Sequence, residues 1–126
     1  MFEYCELYIT GVRHLGLNWV QDPDGLLDEI NNVLMEIERF NFIYLTLNMS
    51  QIYNYHLRTN NYDSMMIYIK GAKYKGQALL SVDQLMELES HIKYALGYVY
   101  GLTFLELELR SARKYEFEEL EELKCR

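Results

Sequence analysis

The hydrophobic positions along this chain change period several times, and each change marks an element. Residues 2–9, FEYCELYI, are rich in aromatic and β-branched types and close at Thr10-Gly11. They predict a first strand, with Cys5, Leu7 and Ile9 on the core side and Tyr4, Glu6 and Tyr8 on the other. Val12 to Val20 reads as a second strand returning from the Thr10-Gly11 turn, weakened by Gly16 in its middle.

At Asp22-Pro23-Asp24-Gly25 the period becomes helical. Asp22 suits an N-cap, and Pro23 suits the first helical position, where a missing N–H costs nothing. Leu26 or Leu27, Ile30, Val33 or Leu34, and Ile37 then recur on one stripe, predicting a helix over 23–40. Phe42 to Leu47 reads as a short buried strand, followed by irregular or helical structure as far as Arg58. Thr59 to Ser64 has the composition of a loop. Met65 to Lys70 is a further strand, which pairs naturally with 74–80 as a hairpin.

Ser81 opens the longest apolar periodicity. Gln84 three positions on completes a capping box, and Asp83 suits the positive end of the helix dipole. Leu85, Leu88, Ile92, Ala95 or Leu96, and Val99 form one stripe. Beyond Gly101 two periods compete. Thr103 to Arg110, TFLELELR, alternates as a half-buried strand does, whereas Leu102, Leu105, Leu109 and Ala112 continue the helical stripe. Leucine and glutamate are strong helix formers, so propensity favours one helix over 82–112. Phe117, Leu120 and Leu123 then suggest a short amphipathic tail. The pattern as a whole predicts a single α+β domain over 1–126. A small, mostly antiparallel sheet packs against two main helices, about 23–40 and 82–112.

Composition adds a bias in charge and an excess of one residue. The net charge is −7 and the pI is near 4.9, which disfavours nonspecific contact with nucleic acid or anionic membrane. Twelve tyrosines in 126 residues supply apolar bodies with polar tips, which suit recognition surfaces. Tyr53, Tyr55, Tyr62, Tyr68 and Tyr74 concentrate in the middle third. No run of about 18 apolar residues occurs, so no membrane span is expected. The start, Met1-Phe2-Glu3, lacks the basic and apolar regions of a signal peptide. Cys5 and Cys125 are read as reduced, in a cytoplasmic protein.

Candidate chemistry is sparse. His14, His56 and His91 stand at no zinc-ligand spacing, and no phosphate loop, nucleophile elbow or dinucleotide fingerprint appears. Glu87, one turn before His91, makes a surface ion pair the simplest role for that histidine. No cofactor or metal is implied, and the chain reads as a non-enzyme. Two functions of different class follow. The first is a non-catalytic interaction protein, of inhibitor or immunity type, acting through an acidic tyrosine-rich surface. Tyr94, Gly97, Tyr98 and Gly101 are its candidate partner surface. Gly97 and Gly101, four apart on a helix, would allow close backbone approach and a homodimer. The second is capture of a small anionic metabolite or nucleotide by Lys73, Lys75, Arg110 and Arg113.

Overall fold

The computed structural model describes residues 2–14, 23–54 and 59–116. Four long strands form one antiparallel sheet: β1 (Phe2–His14), β3 (Tyr44–Asn54), β4 (Thr59–Lys70) and β6 (Leu102–Glu116). Their spatial order is β3-β4-β1-β6. Two helices, α1 (Pro23–Met35) and α2 (Val82–Leu96), connect β1 to β3 and β4 to β6 through the two-strand ribbon of β2 (Phe40–Asn41) and β5 (Lys73–Tyr74). Leaving out the ribbon, the order is βαββαβ with the two helix-linked pairs interleaved, the split arrangement of ferredoxin-like domains. The α+β class and the antiparallel sheet are as the sequence predicts.

Both helices cover one face of the sheet. Leu26, Ile30 and Leu34 of α1 and Leu88, Ile92 and Leu96 of α2 share a core with Leu7, Ile9, Ile67 and Ile69 of the two central strands. Each of those four strand residues is fully buried, and burying such a side chain stabilises by roughly 1.5–3 kcal/mol. Alternation puts Tyr4, Tyr8, Tyr68 and Lys70 on the opposite face, which is helix-free among the described residues.

Several boundaries differ from expectation. The chain does not turn back at Thr10-Gly11 into a second strand, and β1 instead runs on to His14. A register shift between Thr10 and Val12 absorbs Gly11, and Val12 and His14 turn toward the core. Residues 15–20 lie outside the described residues. Helix α1 stops at Met35 rather than near 40, in tight turns from Ile37 N–H to the Leu34 carbonyl and from Phe40 N–H to the Ile37 carbonyl. Arg39, at φ 60°, then redirects the chain so that Phe40 pairs with Tyr74. The anticipated loop at 59–64 is strand: β3 and β4 form one long hairpin, paired from Tyr44↔Lys70 to Asn54↔Thr59. Residues 74–80 do not pair with 65–70. The chain leaves the sheet at Gly71, where φ is +70° and a Cβ would lie 2.5 Å from Ile43 Cδ1.

The largest correction concerns α2. Its start is as predicted: Ser81 Oγ accepts from Gln84 N–H at 3.2 Å, and Gln84 Oε1 accepts from Ser81 N–H at 2.9 Å. Its end is not. The helix stops at Leu96, Gly97 caps it, and residues 102–116 form β6. Pairing with β1 from Phe2↔Glu116 to His14↔Leu102 satisfies the backbone along an otherwise open edge. That gain overrides the helix propensity of Leu and Glu. Glu89 Oε1 accepts from Leu109 N–H at 3.2 Å, which ties α2 to the new strand. The tail beyond Glu116 lies outside the described residues.

Gly101 makes the turn into β6 at φ +85°, and a Cβ there would lie 2.7 Å from His14 Cε1. Gly76 has a similar φ, +78°, but open space around it. Gly101→Ala is expected to cost about 1–3 kcal/mol and Gly76→Ala about 1 kcal/mol, measured by urea denaturation. Equal losses at both positions would show that the His14 contact contributes nothing.

Candidate functional site

Among the described residues, two surfaces gather tyrosines, one on each side of the sheet. On the helix side, the C-terminal halves of α1 and α2 border a groove of about 450 Å³. Val33, Ile37 and Ala95 line it with apolar surface, Glu36 and Glu38 bring carboxylates, and Tyr94 and Tyr98 form a wall. The two tyrosines, one helical turn apart, meet edge to face at 5.3 Å between ring centroids, with hydroxyls 2.8 Å apart. Both remain strongly exposed, at 71% and 68%. Two of the four candidate partner residues, Tyr94 and Tyr98, are therefore brought together. Gly97 and Gly101 are not: one caps α2 and the other lies beyond it in the turn against His14. They share no helix face, and the glycine argument for a homodimer falls with that geometry.

On the helix-free side, Tyr8 and Tyr68 face each other across the central strands, 5.3 Å apart. Tyr8 Oη donates to Glu6 Oε2 at 2.6 Å and Tyr68 Oη donates to Glu6 Oε1 at 2.7 Å. Tyr44 sits 6.3 Å from Tyr68. Lys70 Nζ lies over the rings of Tyr4 and Tyr44, at 5.4 and 5.8 Å. Glu6 is only 7% exposed although it stands on the open face. Burial pushes its pKa up, but the two phenolic donors, aided by Lys114 and Lys70, outweigh it and hold the carboxyl below its ordinary value. The phenols respond in the opposite sense. The bond to Glu6, then burial, raises Tyr8; burial, then the same carboxylate, raises Tyr68. Alternation alone assigned Glu6 to this face. The strand register, unknown from sequence, is what surrounds it with tyrosines.

The four cations expected to gather an anion do not form one site. Lys75 Nζ pairs with Glu87 Oε1 at 2.7 Å and Arg110 Nη2 with Glu108 Oε2 at 3.1 Å. Arg110 and Arg113, three apart on a strand rather than on a helix, fall on opposite faces. Arg113 and Lys73 line two separate small cavities that meet at Ala78, of about 260 and 280 Å³. Glu87 also accepts from Tyr74 Oη at 2.6 Å and lies 3.9 Å from His91 Nε2, the ion pair expected from their spacing. Burial, reinforced by Glu87, pushes the Tyr74 phenol up to about 12. Among the described residues no group of three or more His, Cys, Asp or Glu is arranged to hold a metal ion, and no helix is long and apolar enough to cross a membrane. Cys5 is a buried free thiol, raised by burial and then by Glu6; Cys125 lies outside the described residues.

Because Glu6 binds its proton less readily folded than unfolded, its stabilisation is complete above the ordinary carboxyl value and fades as pH falls through the lowered folded value. Glu6→Gln is expected to cost roughly 1–3 kcal/mol at neutral pH and to flatten the acid limb of the stability curve. Denaturant midpoints measured from neutral pH to about pH 3 check this. Parallel curves for the two proteins would remove Glu6 from the account.

No family model matches the chain, and the search of curated proteins returned no match. Among solved structures it is similar to the crystal structure of 30S ribosomal protein S6 from Thermotoga maritima, at 12% identity and a TM-score of 0.43. That likeness covers 99% of this chain and 100% of the other, and at this identity and score it carries no functional argument.

Proposed function

We propose that this protein is a non-catalytic recognition protein that takes a basic protein partner into the groove between α1 and α2. The observation that carries the reading is the composition of that groove: an apolar lining, an aromatic wall and the carboxylates of Glu36 and Glu38 in one concavity. A lysine or arginine side chain matches it part by part. Its aliphatic stem covers Val33, Ile37 and Ala95, and its cation reaches the carboxylates and the tyrosine rings. The surrounding helices extend the same polarity. Asp24, Asp28 and Glu29 of α1 and Asp83 and Glu87 of α2 are exposed, with Lys93 the exposed cation of α2. Inhibition of the partner, in the manner of an immunity-type protein, is the narrower form of this reading.

A non-catalytic role also accords with how the perturbed protons are held. Glu6 is bonded to Tyr8 and Tyr68, and Tyr74 to Glu87, so the shifted groups named above are engaged in structural pairs.

The test is a titration with arginine- and lysine-rich peptides, followed by amide chemical shifts. Shifts are expected to concentrate at Val33, Ile37, Tyr94, Ala95 and Tyr98. Tyr98→Ala and Glu36→Lys should each weaken binding by roughly 10- to 30-fold, as central contacts of an interface do. Affinities unchanged in both variants, or shifts confined to other surfaces, would remove the groove from consideration.

A further inference from the structure

The helix-free face of the sheet has a different character from the groove and stands independently of it. Register places residues on it in rows across the strands. One row is Tyr44, Lys70, Glu6 and Ala112; the next is Thr46, Tyr68, Tyr8 and Arg110. Lys114 stands opposite Tyr4 on the same side, and exposed Arg13 stands opposite Thr103. Among the described residues that the paired registers place here, Arg13, Lys70, Arg110 and Lys114 share the face with Glu6, Glu108 and Glu116. Glu106 stands at the bulge between the two β1–β6 registers, at φ 58°. An acidic protein thus shows a face on which cations and carboxylates come close to balance around four tyrosines.

We propose that this face is a stacking platform for single-stranded nucleic acid. The tyrosine hydroxyls of the central pair are held by Glu6, which fixes the rings of Tyr8 and Tyr68 before any ligand arrives. A pre-set ring loses little freedom on binding, and unpaired bases stack on aromatic rings with little regard to sequence. Lys114 on β6 and Lys70 on β4 bring positive charge to either side of the β1 tyrosines, where a phosphodiester backbone would run, while Arg110 is engaged by Glu108. The acidic side chains of α1 and α2 lie behind the sheet, beyond a layer about 10 Å thick. Their repulsion reaches a ligand on this face weakened by that distance. An acidic peptide would meet the same cations but would leave the four rings without a role.

The experiment is fluorescence anisotropy with labelled single strands of about 12 nucleotides, oligothymidylate and oligouridylate, and with an abasic strand of the same length. Both base-bearing strands should bind and the abasic strand should bind markedly less. Two phosphate contacts give a salt slope of about −1.4, or roughly a 7-fold loss between about 50 and 200 mM salt. Tyr44→Ala, an exposed change on an edge strand, should weaken binding by about 5- to 150-fold. Tyr68→Phe, which keeps the ring, should leave it within a few-fold, and Lys114→Glu should weaken it without touching a ring. Glu36→Lys in the groove should not reduce it, which separates this proposal from the basic-partner reading. Equal affinity for the abasic strand would falsify the stacking role. So would an absence of binding at low salt, or binding of polyglutamate in place of the oligonucleotides. Self-association abolished by Tyr44→Ala would instead assign the face to a second copy of the chain and overturn the proposal.

Discussion

Leu7 and Ile9 on β1 meet Ile69 and Ile67 on β4, and these four side chains hold the helices to the sheet. Because both helices lie on that side, β1 and β4 must satisfy two different environments at once. Every core residue commits its neighbours to the far side, where no helix of the described residues covers them. The tyrosines of β1 and β4 answer that demand: their rings cover the sheet and their hydroxyls stay hydrogen-bonded. Glu6 is a product of the same constraint. A carboxylate at the centre of a tyrosine-covered face would be costly if unpartnered, and two phenols and nearby lysines offset its desolvation.

Elements whose signals were local and chemical were legible in the sequence. The capping box at Ser81 and Gln84 is present as read, the apolar stripe of α1 is buried, and Cys5, Leu7 and Ile9 face the core. What could not be read depended on partners distant in the chain. Thr103 to Arg110 has the propensity of a helix and becomes a strand because the β1 edge needs pairing. Asn60 and Asn61 look like loop but extend a hairpin whose register is set by β3. The candidate sites divide in the same way. Tyr94 in the last turn of α2 and Tyr98 just past its cap meet as their spacing implies. Arg110 and Arg113 were paired on the assumption of a helix, and the strand separates them. Glu6 had no visible signal, since its partner Tyr68 is 62 residues away.

The groove and the tyrosine face therefore differ in origin as well as in charge. The groove exists because α1 ends early at Met35 while α2 continues alongside it, leaving Ile37 and Ala95 without a covering helix. The tyrosine face exists because both described helices lie on the other side of the sheet. A substitution that remodels one need not disturb the other, since the core of β1 and β4 lies between them.

Carboxylates gathered over the helices, against a near balance of charges over the far face of the sheet, give the molecule a direction. Near a charged wall such a body does not behave as a uniform sphere of charge −7. It turns, presenting its helices to a positive support and its strands to a negative one. Retention on opposed ion exchangers would then report orientation as much as net charge, and a surface layer of the protein would expose a different face according to the sign of what lies beneath it.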